Sequence, residues 1–147
     1  MKKIASFEVD HDILEKGFYL SRVDGDVFTY DLRFKKPNGG DYLLNAAMHT
    51  IEHLMATVAR NSDLKESVIY FGPMGCRTGF YLLLRNVEIE RAKTFTVECL
   101  KKCLEQDAIP GSEKKECGNY LEHDLAEAKK EIADYLKILT AAKENLF

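Results

Sequence analysis

The sequence has no tryptophan, only three prolines and four cysteines, no surplus of charge and no long apolar run. Each shortage excludes something. Twenty-one basic against 24 acidic side chains leave a net charge of −3 and a pI near 5.8, so there is no electrostatic footprint for nucleic acid or an anionic membrane. The longest apolar run, Phe80 to Leu84, is far too short to cross a bilayer. Met1-Lys2-Lys3-Ile4 has the basic end of a secretion signal, but Glu8, Asp10 and Asp12 interrupt the apolar stretch that should follow, so a cytoplasmic location is expected. In a reducing compartment Cys76, Cys99, Cys103 and Cys117 read as thiols rather than bridges, which opens metal binding or catalysis. Nine glycines without low-complexity tracts or an internal period exclude collagen-like, disordered and solenoid architectures.

What remains suits a single catalytic domain over 1–147. A chain of this length buries roughly two-thirds of its unfolded surface, enough for a core but not for a dinucleotide domain beside a substrate domain. Any chemistry must come from a compact site. Val27 to Phe34 alternates, with Phe28, Tyr30, Leu32 and Phe34 on one face of a strand and Asp31 and Arg33 on the other. Gly17 to Val23 reads as its hairpin partner, turning at Asp24-Gly25. Strands are also expected over 67–71 and 79–85, and helices over 42–61, 88–106 and 121–142. The last helix carries Leu121, Leu125, Ala128, Ile132, Leu136 and Leu139 as its buried stripe. The expected fold class is α+β, a largely antiparallel sheet of about four strands packed on about three main helices.

The first of those helices contains His49-Thr50-Ile51-Glu52-His53. At about 100° per residue, His53 and Arg60 lie within about 40° of His49, and Glu52 about 60° to its other side. The apolar set of Leu44, Ala47, Met48, Ile51, Leu54, Met55 and Val58 faces the opposite way. Two imidazoles one turn apart, away from the core face, can reach one divalent ion with a carboxylate base beside them. Third-ligand candidates are Cys117, Cys76, His11, His123 and the pair Cys99/Cys103. Cys99 and Cys103 line up with Phe95 and read as core residues, and His123 falls off the apolar stripe and reads as solvated. Cys117 sits in a polar loop before Gly118 and can be carried to a metal. Cys76 lies in a glycine-rich turn, where Arg77 favours its thiolate if that side chain turns inward.

The ordered motifs resemble the S-ribosylhomocysteine lyase family, which makes the precursor of autoinducer-2. The match runs through Ser6-Phe7, Asp10-His11, Asp31-Leu32-Arg33-Phe34, Pro37-Asn38 and His49-Thr50-x-Glu52-His53. It continues through Gly72-Pro73-Met74-Gly75-Cys76-Arg77-Thr78-Gly79-Phe80-Tyr81, Ile109-Pro110-Gly111, Cys117-Gly118-Asn119-Tyr120 and His123-Asp124-Leu125. The resemblance implies one divalent metal per chain, Fe²⁺ replaceable by Zn²⁺ or Co²⁺, on His49, His53 and Cys117. It also implies Cys76 and Glu52 as acid/base pair, and substrate contacts at Ser6, His11, Arg33 and Arg60. The implied partner is a second copy of the chain, in a homodimer with active sites at its interface. The implied roles are in the methionine cycle and quorum sensing. One position departs from the family: where many members carry an aspartate six residues before the catalytic cysteine, this chain has Tyr70.

Two other readings predict different sites. His-x-x-Glu-His is also the motif of inverted zinc peptidases, which generally take a downstream glutamate as third ligand. A purely structural metal protein would close its site, for example with His49, His53, Cys99 and Cys103.

Overall fold

The computed structural model describes residues 1–144, and for Ala5, Ser6 and 142–144 the backbone alone. The elements run α1 (Ala5–Glu8), β1 (Gly17–Asp24), β2 (Val27–Arg33), α2 (Asn45–Arg60), β3 (Val68–Pro73), β4 (Gly79–Arg85), α3 (Ile89–Leu104) and α4 (Leu125–Glu144). The four strands form one antiparallel sheet in the order β1-β2-β4-β3, as the α+β expectation required. Alternation dictates its layers: Phe18, Tyr30, Leu32, Phe71, Phe80, Leu82 and Leu84 enter one hydrophobic core with the apolar stripes of α2, α3 and α4. Tyr135 of α4 stacks on Phe34, and its phenol donates to the Gly17 carbonyl at 2.8 Å, fixing the last helix to the start of the sheet.

Several boundaries differ from expectation for identifiable reasons. The hairpin turn centres on Gly25-Asp26 rather than Asp24-Gly25, since Asp24 already pairs with Val27 and Gly25 takes φ 62°. The last helix starts at Leu125, not 121, because Asp124 caps it by accepting a hydrogen bond from the Glu127 N–H at 3.0 Å. Leu121, expected in the buried stripe, is therefore 80% exposed. Leu44, expected on the apolar face of the first long helix, precedes α2 and is also exposed. The short helix α1 carried no pattern that announced it.

The second face of β2 is also buried at its far end, where it carries the charged pair Asp31 and Arg33. Arg33 grips Asp31 with two parallel hydrogen bonds, 3.1 Å from Nε and 2.6 Å from Nη2, and Tyr19 and Tyr81 pair with Asp31 from the flanking strands. Burial, and after it the Asp31 charge, push both phenols above their ordinary range. Gly79 pairs with Arg33, and a Cβ there would overlap the Leu32 carbonyl oxygen. Glycine is what lets β2 and β4 close at the end that carries Arg33 and Thr78.

Candidate active site

Half of the site stands on α2. His49 and His53 are one turn apart, and the loop between α3 and α4 folds over them. The loop supplies acceptors first: His49 Nδ1 meets the Glu122 carbonyl and His53 Nδ1 the Pro110 carbonyl, each at 2.8 Å. A carbonyl only accepts, so both Nδ1 atoms carry their protons, which in the neutral ring is the tautomer that leaves Nε2 its lone pair. Gly111, at φ 66°, turns the chain directly after Pro110, with the space of its missing Cβ 3.4 Å from His53 Nδ1. The same loop brings Cys117, whose backbone N–H bonds to Glu113.

Cys117 Sγ lies 3.4 Å from His49 Nε2, 3.8 Å from His53 Nε2 and 3.9 Å from His123 Nε2. A tetrahedral ion with typical zinc bond lengths needs sulfur–nitrogen separations of about 3.6 Å. Ligand atoms of all four residues lie within 4.8 Å of one another, so the donor set fits a single divalent ion. Carbonyl partners on the outer nitrogens are the supporting bonds that metal-ligating imidazoles use to hold their orientation. Glu52 lies beside this cluster in an open pocket of about 270 Å³ that it lines with Asn45, Met48, His49, Pro73, Asn119 and Glu122.

His123 corrects the expectation of a solvated residue. It precedes the helix rather than riding on it, stacks on His49 with ring centroids 3.9 Å apart, and holds Thr50 Oγ1 at 2.9 Å through Nδ1. Burial, then the neighbouring His49 and His53, push its pKa below the ordinary imidazole value. The spacing Asp124-Leu-Ala-Glu127 was the available signal, since an N-cap at 124 leaves 123 in the loop.

The other half is the turn between β3 and β4. Cys76 is exposed there, with its Sγ 3.0 Å from Thr78 Oγ1. Arg33 Nη1 donates to that same hydroxyl at 2.8 Å. A guanidinium cannot accept, so the Thr78 oxygen accepts from Arg33; Thr78 is buried, and among the described residues Cys76 Sγ is the acceptor within reach of its own hydrogen. The condition placed on Arg77, a side chain turned toward the thiol, is not met: its backbone sits at φ 62°, and its side chain reaches the Leu43 carbonyl at 3.4 Å and the Tyr42 ring at 5.8 Å. Thr78 escaped the sequence reading because a threonine beside a cysteine has no distinguishing pattern. Among the described residues, no hydrogen bond or ion pair joins Cys76 to the metal-ligand cluster.

The remaining candidates are dispersed. Arg33 is 2% exposed and committed to Asp31 and Thr78. His11 holds the Val9 carbonyl at 2.8 Å in the N-terminal segment, and Arg60, at the end of α2, reaches the Ile69 carbonyl at 3.3 Å. The side chain of Ser6 lies outside the described residues. Tyr70 is half-exposed on β3, its ring lying over Gly72. Cys99 and Cys103 are buried in the core, and burial pushes both thiols up to about 12. Among the described residues neither joins the ligand cluster, so a closed structural site using those two cysteines is not favoured. The downstream glutamate of an inverted peptidase has no counterpart in the ligand cluster, which closes on Cys117.

A small α+β scaffold holding a histidine–cysteine metal centre and a separate exposed thiol is the class that fold and site define. The family model for S-ribosylhomocysteinase (LuxS) matches residues 4–145, and the chain belongs to that family. It is 46% identical to an S-ribosylhomocysteine lyase of Borreliella afzelii, covering 99% of this chain and 97% of the relative. A Phocaeicola vulgatus S-ribosylhomocysteine lyase is 42% identical, covering 100% and 97%, and one from Porphyromonas gingivalis is 40% identical, covering 99% and 98%.

Proposed function

We propose that the chain is a metal-dependent carbon–sulfur lyase that splits S-ribosylhomocysteine into homocysteine and 4,5-dihydroxy-2,3-pentanedione. The observation that carries the reading is the convergence of His49, His53 and Cys117 at ligand spacing, in a chain of the S-ribosylhomocysteinase family. An unactivated thioether does not break at neutral pH, so a carbonyl must first be moved along the ribose until it lies β to the sulfur. A divalent ion held by those residues supplies Lewis acidity toward the sugar carbonyl. The residues of the chain do the proton work. Cys76, with the Thr78 hydroxyl aimed at its sulfur, and Glu52, beside the ligand cluster, take and return protons on adjacent carbons. Removal of the last proton expels homocysteine as its thiolate.

The metal is Fe²⁺ in this proposal, with Zn²⁺ or Co²⁺ able to substitute, since imidazole and thiolate suit all three. Ser6, His11, Arg33 and Arg60 are proposed substrate contacts, and the working unit is a cytoplasmic homodimer. The apolar surface left by Ile4, Phe7, Ile13 and Leu44, each more than half exposed, supports a site assembled from two copies. No described helix is long and apolar enough to cross a membrane. Incubating the metal-loaded chain with S-ribosylhomocysteine and titrating free thiol tests the reading; absence of thiol release refutes it.

A further inference from the structure

His123 completes a cluster of four ligand-type side chains, yet its proton is placed differently from those of its two neighbours. The difference lies in Thr50. Elsewhere, Thr94, Thr96 and Thr140 donate their hydroxyls to the carbonyl four residues back, the usual habit of threonine in a helix. Thr50 does not. Its oxygen accepts the backbone N–H of Asp124 at 3.0 Å, and its other neighbour is His123 Nδ1 at 2.9 Å. The residue is fully buried, so the hydroxyl hydrogen needs an acceptor inside the protein. Among the described residues the ring nitrogen is the one within reach. His123 Nδ1 therefore accepts, and the uncharged ring carries its hydrogen on Nε2. A protonated nitrogen has no lone pair for a metal; it is a donor, and it faces Cys117 Sγ at 3.9 Å.

From this geometry we infer that Thr50 locks His123 as a hydrogen-bond donor toward Cys117 Sγ, which keeps this fourth imidazole out of the three-residue ligand set of His49, His53 and Cys117. The inference rests on the metal-binding reading above and refines it. His123 and Thr50 are positioning residues: the imidazole donates toward the Cys117 sulfur, and the threonine sets which nitrogen can do so. Their roles contrast with His49 and His53, whose outer nitrogens face carbonyls and whose inner nitrogens are consequently free to ligate.

The test uses the zinc-loaded full chain and its Thr50→Val and Thr50→Ser variants, with the ligand set counted by X-ray absorption at the zinc edge and affinity measured by chelator competition. Wild type and Thr50→Ser are expected to show two imidazoles and one sulfur. Thr50→Val, which releases Nδ1, is expected to show a third imidazole and at least tenfold tighter zinc. Nitrogen-15 spectra of the wild-type histidines need no variant, and should place the hydrogen on Nε2 in His123 and on Nδ1 in His49 and His53. Three imidazoles in wild type, or a hydrogen on His123 Nδ1, overturns the inference while leaving the metal reading intact. A wild-type chain that takes up no zinc in one-to-one proportion overturns the metal reading, and the inference with it.

Discussion

At the metal end, two imidazoles stand on a helix of 16 residues and lean on backbone carbonyls of the loop that covers them. At the thiol end, one exposed sulfur stands on a short turn and leans, through a single hydroxyl, on an ion pair buried on the far face of the sheet. The first arrangement spends backbone groups to orient side chains; the second spends a buried charge pair to orient one proton. A ligand must be held still in one geometry. An acid/base must stay reachable, so its support is placed behind it.

Substitutions can break that contrast most sharply at the two sulfurs. Cys76→Ala should abolish thiol release while metal content stays near one per chain. Cys117→Ala should instead lose the metal, and elemental analysis beside a turnover assay separates the two. Next in size, Asp31→Ala strands the buried Arg33 charge and should cost about 3–5 kcal/mol in urea unfolding, with zinc affinity of the folded chain unchanged. Thr78→Val removes the donor aimed at Cys76. The loss expected for a hydrogen bond to a charged group is about 1.5–3 kcal/mol, roughly tenfold to a hundredfold in turnover. Thr78→Ser should restore most of it, and metal binding should not respond to either variant.

The smallest effects belong to the cysteines outside the contrast. In metal-free native protein, an alkylating reagent near pH 8 should modify Cys76 and Cys117 and spare Cys99 and Cys103 until the chain is unfolded. Those buried thiols are raised from 9.0 to about 12, so in the pH range between these values the unfolded chain releases their protons and the folded chain does not. Folding stability should therefore fall as pH rises through that window, and Cys99→Ala should flatten the slope.

Much of this was legible in periodicity and spacing. Alternation in β2 and the stripe around Phe95, Cys99 and Cys103 declare their buried faces because burial repeats at the period of the element. The i, i+4 histidines and the loop cysteine declare ligands because they break that repeat. What stayed hidden depends on partners far away in sequence. Thr50 and Thr78 act through hydrogen bonds to His123 and Arg33, and a hydroxyl carries no mark of the direction in which it will donate. Arg77 was left conditional for the opposite reason: adjacency to Cys76 allowed a contact, but the side chain goes to the Leu43 carbonyl and the Tyr42 ring.

Asp124 sits where the metal end meets the last helix. Its backbone N–H is bound by Thr50, next to His49 on α2, while its carboxylate caps α4 at Glu127. Occupancy of the centre and integrity of the chain's last long element thus share one residue. Removing a bound ion should loosen the loop that positions Asp124, and the first turn of α4 should then lose hydrogen-exchange protection before the sheet does. The C-terminal helix becomes a gauge of how full the centre is.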